Sequence, residues 1–241
     1  MSSFVIKKMI AFFMLIFIVV SCRGGESGVV DSTGFVYVLP MPVLDGEMSL
    51  ERALSNRRSR RDFTDETLTQ RELSQILWAA YGVTQPMPNH PALRGGLRTA
   101  PSAGAMYPFE IYVVVGNVEG IEAGVYRYDS EGHRLLRTII GDLREELDSA
   151  SWNQGMVKDA AATVVYTAVF SRMTGRYGAR GRERYVCMDL GHSAQNIYLI
   201  VEALGLGTCA IGAFQDESVS RVLRLPYEEE PLYLMPVGRV R

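Results

Sequence analysis

Val186–Phe214 reads VCMDLGHSAQNIYLIVEALGLGTCAIGAF. Apolar side chains at Leu190, Ala194, Ile197, Val201 and Leu204 fall at helical spacing, so a helix is expected from Val186 to Leu204. Gly205 ends it, and Thr208–Phe214 reads as the next strand. Moving outward, Ala161–Phe170 (AATVVYTAVF) is long, apolar and β-branched, which predicts a central strand. Ile111–Val115 and Gly124–Tyr128 are further strands, the latter followed by a DSEGH turn, and Leu232–Val237 is a final one. Ser49–Asn56 is expected to be helical, and Asp216 to cap a short helix. Thr69-Gln-Arg-Glu72 is a capping-box pattern. It opens a helix with Leu73, Ile76, Leu77 and Ala80 on one face, ended by Gly82. Residues 84–105, rich in Pro and Gly, read as loop. Strands and helices mix without a strict βαβ rhythm, so the fold class is α+β.

The chain has 241 residues, 47% of them hydrophobic, with 25 Lys+Arg against 27 Asp+Glu. That content excludes disorder, and the balance argues against a dedicated nucleic-acid binder, which carries a basic excess. The apolar residues are not evenly spread, and the start of the chain is unusually rich in them. Lys7 and Lys8 precede an apolar run from Met9 to Val20, followed by Ser21 and Cys22. A basic region, an apolar run too short for a permanent span and a small residue at its end make a secretory signal. Val19-Val20-Ser21-Cys22 resembles a bacterial lipobox. The expected organisation is a signal over 1–21, a tether over 22–35 lipidated at Cys22, and one domain over 36–241. The protein is then expected in the cell envelope, exported and held on a membrane.

Several motifs are excluded. Gly191-His192-Ser193-Ala194-Gln195 lacks the second glycine of a nucleophile elbow, lies within a helix, and has no histidine after it. Cys187 and His192 do not share a helix face, and the three histidines form no zinc spacing, so no metal is expected. Gly205-Leu-Gly207 follows a helix rather than a strand, which fails the dinucleotide fingerprint.

Three segments remain. Arg57-Arg58-Ser59-Arg60-Arg61 packs four guanidinium groups and a hydroxyl into five residues, and guanidinium forks match phosphate oxygens. A solvated basic face would look the same, and folding decides whether Arg239 converges on it. Ala100-Pro-Ser-Ala-Gly-Ala-Met-Tyr-Pro108 offers small residues that let backbone approach a flat ligand. Gly207–Phe214 ends in small residues whose N–H groups could face a ring edge.

With RRSRRDF, APSAGAMYPFEIYVVV, GVYRYD, MDLGHSAQNIYLIVEALGLGTCAIGAF and PVGR in this order, the chain resembles the flavin-dependent nitroreductase superfamily. Within it, the chain is similar to the SagB-type dehydrogenases related to azoline oxidases. The resemblance implies an α+β sandwich, a homodimer with FMN at the subunit interface, and a small-molecule substrate. It implies that Arg57, Arg58, Ser59 and Arg61 hold the FMN phosphate and ribityl chain, with Arg239 joining the phosphate. Pro101, Ser102, Ala103 and Ala105 would come from the partner subunit to line the isoalloxazine. The Ile211-Gly212-Ala213 backbone would lie beside the flavin N5 and pyrimidine edge.

Azoline-oxidising relatives carry a Lys-Tyr pair where this chain has Arg176-Tyr177. Arginine keeps its proton at any ordinary pH and cannot be the general base, which leaves Tyr177 as the candidate catalytic acid or hydrogen-bond donor. Export adds a constraint, because no NAD(P)H pool exists outside the cytoplasm; electrons would come from an organic substrate or a membrane redox partner. The rival expectations are a non-catalytic flavin-binding lipoprotein and, without export, an NAD(P)H-dependent nitroreductase.

Overall fold

Strands β4 (Phe109–Val115) and β7 (Ala162–Ala168) are buried over their whole length and pair antiparallel from Phe109–Ala168 to Val115–Ala162. They are seen in a computed structural model that describes residues 35–90 and 93–241. Burial on both faces explains their largely apolar sequence, broken only by Glu110, Thr163 and Thr167, which an antiparallel sheet with one wet face would not need. Ile111, Val113, Val164 and Tyr166 face a core shared with α2 (Gln70–Tyr81) and α6 (Val186–Ala203). Tyr112, Val114 and Val165 face a second core, closed by α3 (Arg144–Ala150), α4 (Met156–Asp159) and α7 (Asp216–Leu223).

Five more strands complete the sheet: β1 (Val36–Val38), β5 (Gly124–Asp129), β6 (Arg134–Ile140), β8 (Gly207–Thr208) and β9 (Glu230–Gly238). Their order is β1-β6-β5-β4-β7-β9-β8, antiparallel throughout. The result is the expected α+β sandwich, with α1 (Leu50–Asn56) packed against α6 and α5 (Phe170–Tyr177) following β7 and packed against residues 181–185. The capping box is present in full. Thr69 Oγ1 accepts the Glu72 N–H at 3.2 Å, while Glu72 Oε2 accepts the Thr69 N–H at 2.9 Å.

Several expectations need correction. Residues 84–105 are not simply loop. They contain most of a small hairpin, β2 (Val83–Pro86) against β3 (Gly96–Arg98), and a short helical turn at Ala103–Ala105. The hairpin is outside the main sheet and β2 is largely exposed, so it has no apolar alternation to betray it. Thr208–Phe214 is not one strand either. Gly207 and Thr208 pair with β9, Ile211 makes an isolated bridge to Leu234, and Gly212 and Ala213 are exposed. Neither has a large apolar side chain to draw it back into the core. Asp216 is the first residue of α7 rather than its cap, since Gln215 holds the N-cap position. The reading of the sequence missed β1, β6, α3, α4 and α5, which are short or half-exposed. The expected signal, Cys22 and the tether through residue 34 lie outside the described residues.

Candidate functional site

After α1 the chain runs extended beside the end of the sheet. The Arg60 N–H donates to Thr208 O at 2.9 Å, Phe63 bridges Val240, and the Thr64 N–H donates to Arg239 O at 2.9 Å. The arginine cluster and Arg239 therefore converge through their backbones. Their side chains diverge. Arg239 Nη2 pairs with Glu72 Oε1 at 2.8 Å, so the capping-box carboxylate already partners that cation. Arg60 lies 3.7 Å from Glu202. Arg58 Nη1 donates to the carbonyls of Ser55 and Arg57, and Arg57 sits over the Tyr198 ring at 5.3 Å. Among the described residues Arg57, Arg58 and Arg61 make no ion pair with a carboxylate.

Tyr198, in α6, ties this cluster to the small-residue edge. Its Oη lies 3.1 Å from Ser59 Oγ and accepts the Ala210 N–H at 2.8 Å. Just beyond, Ile211 exchanges both backbone hydrogen bonds with Leu234, at 2.9 and 3.0 Å. Among the described residues nothing accepts the Gly212 N–H, and Gly212 and Ala213 are exposed.

The Pro101–Ala105 loop is fastened to the other end of α6. Asp189, 4% exposed, accepts the Ser102 hydroxyl at 2.6 Å and the Ala103 N–H at 3.1 Å. Burial pushes the Asp189 carboxyl above the usual range, and those two bonds and His192 offset part of the effect. Asn196 Nδ2 reaches Thr99 O at 3.3 Å and Ala79 O at 3.1 Å. The loop backbone is left-handed at Gly104 (φ 61°), Ala105 (φ 54°) and Tyr107 (φ 46°), a strain of the kind found where structure over-determines a site. A Cβ at Gly104 would strike the Tyr177 hydroxyl and come within 3.4 Å of Arg176 Nη1. Tyr177 itself is set by an edge contact with Tyr185, ring centroids 4.9 Å apart.

The predicted residues thus form two groups. Arg57, Arg58, Ser59 and Arg61 share an edge with Ile211–Ala213, and Pro101–Ala105 shares another with Tyr177. Asp189 and Tyr198 are nine residues apart on α6, which is about 13 Å of rise and about two and a half turns. The two groups therefore stand on opposite faces of one helix. Sequence reasoning missed Asp189 and Tyr198, although their half-turn offset in the MDLGHSAQNIY run is a signal that each serves a different face. Ser193 is no nucleophile: it is fully buried, donating to Ala80 O at 2.5 Å and meeting Tyr166 Oη at 2.8 Å. Cys187 is exposed and Cys209 buried, and both are free.

The residues present suit a phosphate-bearing flat cofactor. The cluster holds a serine hydroxyl and three guanidinium groups that have no acidic partner among the described residues, a donor set for phosphate. Gly212, Ala213, Ala103 and Ala105 put no bulky side chain between backbone and ligand. Thr208 Oγ1, beside the cluster, is buried without a hydrogen-bond partner.

The profile of the Nitroreductase family matches residues 54–239. A nitroreductase-like protein of Methanocaldococcus jannaschii is 46% identical over 193 residues, covering 80% of this chain and 92% of that protein. The trifolitoxin-processing protein TfxB of Rhizobium leguminosarum bv. trifolii is 34% identical over 149 residues, which span 59% of this chain and 39% of TfxB. The crystal structure of a nitroreductase-like protein from Ralstonia eutropha superposes with a TM-score of 0.73 and 31% identity, over 89% of this chain and 94% of that one.

Proposed function

The chain belongs to the nitroreductase family, and from that premise we propose that it is an FMN-dependent oxidoreductase whose site is assembled from two copies. The observation that carries the reading is the tie made by Tyr198, which joins Ser59 and the Arg57 guanidinium to the edge where, among the described residues, nothing accepts the Gly212 N–H. When bound, FMN supplies reversible hydride acceptance, and the protein supplies placement and charge. Arg57, Arg58 and Arg61 would grip the phosphate in charge-assisted forks, with the Ser59 hydroxyl as a neutral donor. Arg239 would add positive field from beside them while its guanidinium stays on Glu72. The Gly212 N–H would donate to the pyrimidine edge of the ring. Tyr177 would serve as hydrogen-bond donor or acid to the substrate.

The opposed faces of α6 support a site shared between copies. A ligand touching both Arg57 and Ala103 needs the second group from another chain, as the resemblance implies. The groove between α1, α2 and α6 supports the same reading. It has a volume of about 860 Å³ and is lined in part by Val43, Leu44, Met48, Trp78, Leu199 and Ile200. Leu44 is 74% and Val43 55% exposed in the single chain, an apolar patch of the kind that marks an interface.

The SagB-type branch is the finer reading, supported by similarity to a trifolitoxin-processing protein. Arg176 in place of the lysine argues against base-catalysed azoline oxidation. Export and lipid anchoring at Cys22 rest on the lipobox-like sequence, and with them an electron source other than NAD(P)H. Rapid reduction of the purified protein by NADH would count against that source. For the flavin itself, the purified protein is expected to carry a yellow chromophore released on denaturation as FMN. A colourless protein without affinity for added FMN would sink the assignment, and unchanged occupancy in Arg57→Ala/Arg61→Ala would move the phosphate elsewhere.

A further inference from the structure

Between Phe170 and Tyr185 the chain carries Arg172, Arg176, Arg180, Arg182 and Arg184 against one acid, Glu183. Two of these arginines are committed to carboxylates. Arg172 donates to Glu110 at 2.7 Å, and Arg182 grips Glu230 with both nitrogens at 2.9 and 2.6 Å. Arg176, Arg180 and Arg184 are exposed and make no ion pair among the described residues.

Arg176 and Arg180 are nonetheless placed. Arg180 Nε donates to the Tyr185 hydroxyl at 3.1 Å, Tyr185 packs edge-on against Tyr177, and Arg176 lies over the Tyr177 ring at 5.4 Å. Two uncompensated guanidinium groups thus bracket an aromatic pair. Gly178 (φ 56°) breaks α5 after Tyr177, and Gly181–Tyr185 continues as a π-helical turn, which sets Tyr185 against Tyr177. Such turns are frequent at functional sites. The bracket stands directly on the Pro101–Ala105 loop, because a Cβ placed at Gly104 would meet the Tyr177 hydroxyl and then Arg176 Nη1.

We infer that the substrate carries an anionic group, a carboxylate on a flat organic body, received by Arg176 and Arg180 beside the Tyr177–Tyr185 pair. The inference rests on the reading of the Pro101–Ala105 loop as the ring-lining half of the site. The chemistry follows from the residues. Arginine remains charged at every working pH and forks onto carboxylate oxygens, and tyrosine faces accept a flat apolar body. No carboxylate within the segment neutralises these two side chains, so an arriving anion meets no competitor.

The test is calorimetric titration of the full-length purified protein, with its bound flavin measured first, using benzoate and the neutral isostere benzamide as probes. Benzoate is expected to bind at least ten-fold more tightly than benzamide, and raised salt should erode that preference. Arg176→Gln/Arg180→Gln should abolish the preference while leaving flavin content unchanged, and Arg176→Glu/Arg180→Glu should reverse it. Equal binding of the two probes to flavin-loaded wild type, or a preference that survives in the Gln variant, overturns the inference. Absence of flavin overturns the proposed function instead, so the two failures are distinguishable.

Discussion

Asp189 on α6 accepts the Ser102 hydroxyl at 2.6 Å, and with it the N–H that opens the short Ala103–Ala105 turn. A carboxylate that is 4% exposed thereby fixes a left-handed loop to the helix layer. Ser102 passes the order on, since its Oγ accepts the Tyr107 N–H at 2.9 Å.

Asp189→Ala leaves these two donors without their acceptor, and a buried unsatisfied donor costs about 1–3 kcal/mol. Denaturant unfolding should show a loss of that size. Asp189→Asn should recover part of it, because its amide oxygen still accepts one of the bonds. Wild-type stability in the Ala variant would mean that the loop is held by other contacts.

A different outcome is expected for Tyr198→Phe. The ring and its packing on Arg57 remain, but the bonds to Ser59 and the Ala210 N–H are lost. One such bond is worth about 1 kcal/mol, so FMN affinity should fall roughly five-fold with little change in fold. A flavin fluorescence titration against wild type reads this directly, and an unchanged Kd would detach Tyr198 from the site.

Glu110 gives a pH signature. Burial alone would raise its carboxyl, but Arg94 at 2.5 Å and Arg172 at 2.7 Å outweigh burial and hold it below the usual carboxylate range. Its contribution is therefore present above the unfolded value, about pH 4.3, and is lost as pH falls through the lower folded value. Glu110→Gln should cost about 2–3 kcal/mol at neutral pH, less than a fully dry pair because the arginines still touch water. The variant's stability should also fall less steeply than wild type's below pH 4. Parallel acid limbs for the two proteins would contradict this.

Glu72 serves two partners, the Thr69 N–H of the capping box and the Arg239 guanidinium. Thr69→Ala should therefore cost about 1 kcal/mol through the lost cap, with flavin content intact. Arg239→Ala should weaken FMN binding less than Arg57→Ala/Arg61→Ala does, because its charge is already shared with Glu72. Comparing retained flavin in the three purified variants checks the ranking. Equal losses from the two arginine variants would place Arg239 on the phosphate after all.

The α+β class, the two buried strands, the helix over Val186–Ala203 and the Thr69 cap were legible in the chain because each depends on local periodicity or on contacts within four residues. The basic cluster and the small-residue segments were legible as chemistry, since guanidinium groups and glycines declare what they can bind. What needed the tertiary structure was every relationship across distance. Only packing shows that Arg239 turns to Glu72, that Tyr198 joins Ser59 to Ala210, and that Arg176 and Tyr177 stand on Gly104. The early departure of Gly212 from the sheet was hidden for the same reason, since the last bridge before it joins Ile211 to Leu234, far along the chain. The β2–β3 hairpin is local, but its exposed and polar side chains carry no apolar alternation to record the pairing.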